Sequence, residues 1–304
     1  MKTTGSDALL EQLASQHRRV AADWRALILL RRATFDLAPH ERRWTQLPRE
    51  PADLTPLLRQ MRRRHEISPL ERLPFLCEVT VPYARHSGPL DEDEVLFEAT
   101  PYAVLSHLSA LTFHGLSDDL PKRIIVTVSR DGRGDLLPLG TEPRDWEGIL
   151  PAAGRKPALV LGRLVHWMSI KPEWFFGFAA YQPRGYPIRV TTPERTLLDG
   201  LQAPELSGGI ENVLRAWASA RDMIDLDRLV SYVDRFDIGI LRQRAGFVLD
   251  ELGLVHPGID EWRHRANRGG SSRLVGAAPY APRFSEPWNL SLNGPVAMPR
   301  DSAP

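Results

Sequence analysis

Residues 53–82 read DLTPLLRQMRRRHEISPLERLPFLCEVTVP, a short helical pattern followed by two strand patterns. Strands are predicted at Ile67–Leu70 and Phe75–Pro82, and the ERLP piece between them can turn the chain. Two more helical patterns precede this stretch, over Asp7–Val20 and Ala21–Arg32. Helices followed by strand–turn–strand have the element order of a winged helix-turn-helix, so we expect that fold at the N-terminus.

The predicted helix in this stretch has an apolar side and a basic side. Asp53 or Thr55 suits the N-cap, and Pro56 falls in the first turn, where proline is tolerated. Leu58 and Met61 recur at helical spacing and should be buried with their apolar neighbour Leu57. Four arginines fall mostly on the other faces: Arg59, Arg62, Arg63 and Arg64.

These arginines make double-stranded DNA the expected partner. The last helix of a winged helix enters the major groove, while basic side chains on helix and wing hold phosphates. Arg72 is the candidate on the wing, and Arg42 and Arg43 in the connector Ala33–Pro51 are candidates for backbone contact. The alternative is that the RRRH run is a solvated helix end, where the helix dipole favours cations.

Charge is distributed unevenly along the 304 residues. Residues 1–90 contain 15 Lys+Arg against 10 Asp+Glu, a balance of +5, whereas the remainder contains 24 against 28, a balance of −4. All but one of the N-terminal cations are arginines, whose fork suits phosphate and guanine edges. An arginine-rich composition explains the choice of cation but not the opposite signs of the two regions.

Cysteine usage and apolar runs predict a cytoplasmic location. A single cysteine, Cys77, supports neither a disulfide framework nor a cysteine-based zinc site. The N-terminus turns acidic and amphipathic rather than apolar, unlike a signal peptide. Apolar runs such as Ala26–Leu30 are too short to span a bilayer, so no membrane association is expected.

The fold class predicted for the whole chain is α/β, of the α+β kind. Tyr83–Glu94 contains Gly, Pro and an acidic run and is the best domain boundary. We therefore expect a winged helix-turn-helix domain over residues 1–88, a mixed α/β domain over 95–293 and a disordered tail over 294–304. In the second domain, helices are predicted at 101–114, 207–221, 226–236 and 240–252, and strands at 122–130, 158–168 and 186–191.

Residues 104–119, VLSHLSALTFHGLSDD, bring serine, histidine and aspartate together. A serine hydrolase of the α/β type needs a strand–turn–helix elbow, usually G-x-S-x-G, and no glycine flanks Ser106 or Ser109 here. His107 and His114 are seven residues apart, which is not the i, i+4 spacing of a zinc protease helix. A packed helix ended by Gly115 is the favoured interpretation, with a metal or catalytic site and a partner contact as alternatives.

The stretch TTPERTLLDGL contains a second charged cluster. Thr191 or Thr192 should begin a helix with Pro193 at its first position. Glu194 and Asp199 are able to act as an acid/base pair or share a metal, but Arg195 between them favours a buried ion pair that fixes the helix. No phosphate-binding glycine loop occurs in the chain, so no cofactor, metal or catalytic residue is predicted.

Both stretches together resemble the AbiEi family of antitoxins. The first motif comprises a Ser-Ala-Leu helix and its His-Gly-Leu end, with Ser109, His114 and Gly115 among its residues. The second comprises the P-E-R-T-L-x-D helix start and the glycine pair that opens the next helix: Pro193, Glu194, Arg195, Asp199, Gly208 and Gly209. WNLSLN, residues 288–293, is similar to the closing strand of the family, and the resemblance covers about residues 50–293.

The resemblance implies a winged helix-turn-helix followed by an α/β antitoxin domain. It also implies a regulator that binds inverted repeats in its own promoter and counters a neighbouring AbiEii-like nucleotidyltransferase toxin. The family motif residues are expected to be structural. The inserted connector Ala33–Pro51 departs from the compact helix spacing of the family.

We therefore expect a cytoplasmic antitoxin and autorepressor without enzyme activity. One alternative is a metal-dependent enzyme acting on DNA, such as a nuclease, that uses His107, His114, Glu194 and Asp199. The other is a toxin-binding module that does not bind DNA.

Overall fold

The computed structural model describes residues 2–80, 88–266 and 272–294. Its helices are α1 (Gly5–Ser15), α2 (Asp23–Asp36), α3 (Thr55–Arg63), α4 (Glu92–Ala99), α5 (His107–Phe113), α6 (Pro193–Gln202), α7 (Ile210–Ser219), α8 (Leu226–Phe236), α9 (Gly239–Glu251) and α10 (Pro257–Arg265). Its strands are β1 (Val20–Ala22), β2 (Ile67–Leu70), β3 (Leu73–Val79), β4 (Val104–Leu105), β5 (Ile124–Ser129), β6 (Leu159–Val160), β7 (Arg163–Ile170), β8 (Phe178–Tyr181), β9 (Ile188–Thr191), β10 (Ser272–Arg273), β11 (Phe284–Ser285) and β12 (Leu290–Ser291). Helices and sheets of this kind confirm the mixed α/β fold class.

Local capping explains where the first helix begins. The Thr4 hydroxyl accepts the Asp7 backbone N–H at 3.2 Å, and the Asp7 carboxylate accepts the Thr4 N–H at 3.3 Å. The helix predicted over Asp7–Val20, with Asp7 as its cap, is wrong at both ends: α1 begins at Gly5 with Thr4 as its N-cap, and it stops at Ser15. His17 then takes a left-handed conformation with φ of 52°, and the chain enters β1.

Strands β1, β2 and β3 form an antiparallel sheet of order β1-β3-β2. Val20 pairs with Glu78 and Ile67 with Val79, so β3 is the central strand. Leu9, Leu29 and Met61 are buried in the apolar cluster of these elements. Strand β2 confirms the predicted bounds, whereas the short β1, between α1 and α2, was not expected.

Two buried carboxylates of α4 bind the backbone of β1. Glu98, fully buried, accepts the Ala22 N–H at 3.1 Å and ion-pairs with Arg25 at 2.6 Å and with Arg18 at 3.2 Å. Glu94 accepts the Val20 N–H at 3.1 Å. Because Glu94 and Glu98 are four residues apart, they project from one face of α4 and together fix the start of the sheet.

The division into compact units differs from the predicted domains. One unit comprises Met1–Ala103, Val128–Val165 and Ala180–Ile188, and the other comprises Val104–Thr127, His166–Ala179 and Arg189–Pro304. The first unit thus contains α4, which the predicted boundary assigned to a linker or to the second domain. Of the Tyr83–Glu94 boundary segment, residues 83–87 lie outside the described residues, as does the predicted tail apart from Gly294.

A further sheet has the strand order β6-β7-β5-β4-β9-β8. Strand β4 is antiparallel to β5 and parallel to β9, with Leu105 opposite both Val126 and Val190. The predicted helix over residues 101–114 is therefore wrong in its first half, because Val104 and Leu105 form β4 and only His107–Phe113 is helical. Val104–Leu105 forms a strand because β5 and β9 supply its hydrogen-bonding partners. Those partners lie about 20 and 85 residues further along the chain, so a local pattern does not indicate them.

The core of the second unit is formed by α6 to α10. Trp217, Leu229 and Trp262 are among its buried side chains. Helix α8 confirms the predicted bounds, whereas α10 was not predicted, since it lies in a region dominated by Gly, Pro and Ser. The C-terminal aromatic piece also packs here: the Trp288 indole donates to Asp250 at 2.7 Å, and β12 lies between β10 and β11.

No helix of the described residues combines the length and apolar composition that crossing a membrane requires.

Replacing Glu98 by Gln should strongly destabilise the protein. The substitution leaves the Arg25 and Arg18 guanidiniums buried without their counter-charge, so we expect the free energy of unfolding to fall by about 3 kcal/mol or more. Urea denaturation followed by circular dichroism measures this. Glu71→Gln, at an exposed turn position, is the control and should change the free energy by less than about 0.5 kcal/mol. Equal effects of the two substitutions would refute the importance of the buried carboxylate.

Two glycines of α9 should respond in opposite ways to alanine. The ring of Trp288 occupies the space that a Cβ at Gly246 needs, whereas the space around Gly239 is empty within 4 Å. We expect Gly246→Ala to lower the free energy of unfolding by about 1–3 kcal/mol through overpacking. Gly239→Ala should leave it unchanged or raise it by up to about 1 kcal/mol, since alanine favours helix. Thermal unfolding of both variants checks the pair, and a stabilising Gly246→Ala would contradict the packing described.

Candidate nucleic-acid interface

A proline-initiated turn positions the start of α3. Pro51–Leu54 forms a 3-10 turn, in which the Asp53 carboxylate accepts the Arg49 N–H at 2.8 Å and the Glu50 N–H at 3.3 Å. These backbone bonds hold the pKa of Asp53 below its usual range. Leu54 and Met61 are then buried, which determines the side of α3 that faces the core.

The exit of α3 leads directly into the hairpin. His65 has a left-handed φ of 58°, and the Glu66 N–H donates to the Met61 carbonyl at 3.0 Å, as in a helix C-terminal motif of the Schellman type. The Thr80 hydroxyl donates to the His65 carbonyl. The conformation of His65 therefore connects α3 to β2 through a tight, hydrogen-bonded turn.

Arg59 and Arg63 lie on the face of α3 opposite Met61. They are one helical turn apart and exposed, and neither has an ion pair with a described residue. Like charges at i, i+4 repel one another, so the folded chain keeps this face electropositive without an internal counter-charge. Such a face is suited to binding an external anion.

The two other arginines of this run bind within the fold. Arg62 is exposed, but its guanidinium donates to the Cys77 thiol at 3.4 Å. Arg64 is exposed and lies 3.8 Å from the carboxylate of Glu66, whose side chain is mostly buried. The four predicted arginines thus lie in one region, but Arg59 and Arg63 are more available to an external anion than Arg62 and Arg64.

The remaining candidates also differ in availability. Arg72 is exposed at the turn between β2 and β3, and Arg43 is exposed in the connector. Arg42 is half-buried, with its guanidinium 5.8 Å from the Trp44 ring centre and donating to the Trp44 carbonyl at 3.2 Å. Arg42 therefore orders the connector, which leaves Arg43 as its better candidate for DNA contact.

Sequence reasoning missed a cation that contacts β3 from a loop. Arg155 places its guanidinium 4.2 Å from the Phe75 ring centre on β3 and 3.8 Å from the Asp23 carboxylate. Nothing in the sequence around Arg155 indicates this contact, because its partners lie about 80 and 130 residues earlier in the chain.

In the second unit, side chains of the serine–histidine motif bind backbone groups of neighbouring strands. The Ser109 hydroxyl accepts the Ile125 N–H at 2.9 Å, and the His114 ring donates to the Thr191 carbonyl at 2.7 Å. Gly115, with φ of 68°, ends α5 as predicted. The Ser106 hydroxyl lies 3.0 Å from the His107 ring nitrogen Nδ1. Both residues are buried, so a substrate in solvent does not reach them.

The predicted buried ion pair of α6 is confirmed for Arg195 and Asp199. Their side chains are 2.8 Å apart and nearly fully buried. The Arg195 guanidinium also donates to the Phe176 carbonyl at 2.6 Å and lies 4.5 Å from the Phe236 ring centre. Arginine is thereby satisfied by a carboxylate, a backbone carbonyl and an aromatic ring, as a buried cation requires.

Glu194 has different partners from those expected. It was grouped with Arg195, but its carboxylate accepts the Asp225 N–H at 3.1 Å and lies 3.6 Å from the Arg228 guanidinium. It therefore joins α6 to the N-terminus of α8. Pro193 occupies the first position of α6, as predicted.

The glycine pair has left-handed φ values of 81° at Gly208 and 90° at Gly209. A Cβ at Gly208 would also lie 2.8 Å from the Asn212 side chain. Glycine is therefore required at this turn into α7 for both conformation and space.

The residues of the alternative metal site do not come together. His107, His114, Glu194 and Asp199 each bind a different partner, as described above. In the ranges that the structure describes, no three His, Cys, Asp or Glu residues are grouped so as to hold a metal ion.

Comparison with known proteins finds similarity to solved structures. No protein-family model matches the chain, and no curated protein matches it. The chain is similar to the crystal structure of the RV2827C protein from Mycobacterium tuberculosis, with a TM-score of 0.49 and 15% sequence identity. The match covers 94% of this chain and 90% of that one.

Replacing His114 by Gln should reduce the loss of stability on acidification. Burial lowers the pKa of His114, so below about pH 6.5 the unfolded chain binds protons that the folded chain does not. Stability is therefore lost as pH falls below that value, and burial of His107 acts in the same direction. Urea denaturation at pH 7 and pH 5 should show a smaller loss for His114→Gln than for the unaltered protein.

The exposed His40 provides the control for that comparison. His40→Gln should lose as much stability between pH 7 and pH 5 as the unaltered protein does. If His114→Gln loses as much stability as the unaltered chain, His114 is not held neutral by its surroundings.

Proposed function

We propose that this chain is a DNA-binding repressor of its own operon and the antitoxin of a toxin–antitoxin pair. It acts in the cytoplasm by binding and without catalysis. The element order α1-β1-α2-α3-β2-β3 supports a winged helix-turn-helix, in which α3 is the recognition helix and the β2–β3 hairpin is the wing.

The pair of unopposed arginines on α3 is the observation that carries the DNA half. Arg59 and Arg63 project from the face opposite the core and have no internal counter-ion among the described residues. A solvated structural helix gains nothing from two like charges one turn apart, whereas a phosphate or guanine edge satisfies both. Arg72 at the hairpin turn and Arg43 in the connector add cations for the backbone.

The antitoxin half is supported by the motif residues of the second unit. The helix end at His114–Gly115, the start of α6 and the Gly208–Gly209 turn match the AbiEi pattern, and each has a defined structural role. The proposed antagonist is a nucleotidyltransferase toxin of the AbiEii kind, opposed functionally if not by direct binding. We therefore propose inverted repeats in the promoter as the DNA partner and no cofactor.

A gel-shift titration tests the repressor half. The purified chain is titrated against its own upstream region and against an unrelated duplex of equal length, each at low and moderate salt. A shift of the upstream region that survives moderate salt supports the proposal. Equal, salt-sensitive binding to both duplexes would mean that the arginines bind DNA only non-specifically, and it would contradict the repressor half.

Replacing Arg63 by Ala should weaken DNA binding with a recognisable salt signature. If Arg63 contacts a phosphate, the variant loses affinity for every sequence, and the slope of log K against log salt falls by about 0.9. If it contacts a base edge, discrimination between bases falls by about 1–3 kcal/mol instead. Arg130→Ala, at another exposed position of the first unit, is the matched control and should leave both quantities unchanged.

Co-expression with the neighbouring toxin tests the antitoxin half separately. We expect the unaltered chain and Arg63→Ala to restore growth equally, while only the unaltered chain represses a promoter reporter. A stable toxin complex without any promoter shift would favour the pure toxin-binding alternative. DNA cleavage that disappears with a chelator and with Glu194→Gln would favour the nuclease.

A further inference from the structure

A cavity of about 190 Å³ lies beneath α3 in the first unit. Elements α1, β1, α2, α3, β2 and β3 each contribute to its wall. The wall is predominantly apolar and includes Leu9, Leu13, Ala26, Leu58, Ile67 and Phe75. A dry apolar cavity of about 150 Å³ is sufficient to hold benzene, so this space accommodates one small ring.

Three groups with polar character interrupt the apolar lining. They are Asp23, Arg62 and Cys77. The Asp23 carboxylate already has a cation, Arg155, at 3.8 Å. Arg62 has no carboxylate partner among the described residues, and its guanidinium donates to the Cys77 thiol at 3.4 Å. The Arg62 guanidinium is exposed, and a thiol is a weak acceptor, so an anion that binds there displaces no strong internal partner.

We propose that this cavity binds a small single-ring carboxylic acid, as the carboxylate. The ring lies against Leu13, Ala26 and Ile67, and the carboxylate replaces the Cys77 thiol as the acceptor of the Arg62 guanidinium. An apolar space with one well-placed cation is the usual composition of a small-ligand site. The guanidinium–carboxylate bond is also much stronger than the guanidinium–thiol bond that it replaces.

Binding there should reduce the affinity for DNA. Arg62 is exposed on α3, and its weak thiol contact leaves its guanidinium able to reach a DNA phosphate, whereas a carboxylate in the cavity would hold that guanidinium there. This consequence rests on the proposed function, whereas the binding itself does not. We therefore expect a small aromatic acid to relieve repression.

The test uses the full chain with three probes at matched ionic strength: sodium benzoate, sodium acetate and toluene. Methyl groups of Leu9, Leu13, Leu58 and Ile67 report binding by carbon–proton NMR. We expect saturable shifts of these methyls with benzoate and none with acetate, which has the charge but no ring. Toluene, which has the ring but no charge, should bind at least about tenfold more weakly than benzoate.

Two neighbouring arginines supply the matched variants. Arg62→Met should weaken benzoate binding about tenfold or more and leave toluene binding unchanged, whereas Arg63→Met should leave both unchanged. Ala26→Leu, which fills the cavity, should abolish both. Benzoate shifts that do not saturate, or that Arg62→Met does not weaken, would overturn the site.

A DNA titration with and without saturating benzoate tests the coupling. We expect benzoate to weaken DNA binding of the unaltered chain and of Arg63→Met, but to have no effect on Arg62→Met. Undiminished DNA affinity at saturation would overturn the competition. If the chain binds no promoter DNA at all, the proposed function fails, and the NMR titration still decides whether the cavity binds the acid.

Discussion

The buried carboxylate of Glu98 is the interaction on which the arrangement of the first unit depends. It satisfies the Ala22 N–H and neutralises Arg25 and Arg18, three groups that would each be costly to bury alone. Its neighbour Glu94 binds the backbone of the same strand, so α4 fixes β1, β1 pairs with β3, and β3 carries the hairpin that follows α3. The direction in which the basic face of α3 points is therefore set by carboxylates about 35 residues further along the chain.

Arginine has two opposite roles in this unit, and net charge does not distinguish them. Arg25 is buried, and burial lowers its pKa to about 10 despite the attraction of Glu98. Arg31 is buried as well and donates to backbone carbonyls. Arg59 and Arg63, by contrast, are exposed and unpaired among the described residues. The surplus of +5 in residues 1–90 thus overstates the charge available to a partner, since part of it is structural.

The second unit uses the same solution around Arg195, which is paired with Asp199 and surrounded by aromatic rings and carbonyl oxygens. Its motif residues lie at a helix start, a helix end and a turn, where they bind neighbouring backbone and side-chain groups. The partner of Glu194 was not foreseen, because a buried carboxylate binds whichever donors the tertiary packing brings to it. Glu194 and Arg195 are adjacent on α6, but Glu194 binds the start of α8 whereas Arg195 binds Asp199.

Features that depend on a few neighbouring residues could be predicted from the sequence. These include the bounds of α8 and β2, proline at the start of α6, the left-handed glycine at Gly115, and the basic side of α3, because caps, turns and helical periodicity act over a turn or two. Long-range packing, in contrast, makes Val104–Leu105 a strand, places α4 in the first unit and selects the arginines that are neutralised. Those outcomes depend on strand partners and counter-charges 20 to 85 residues away, and a local pattern contains no information about which distant group will be its neighbour.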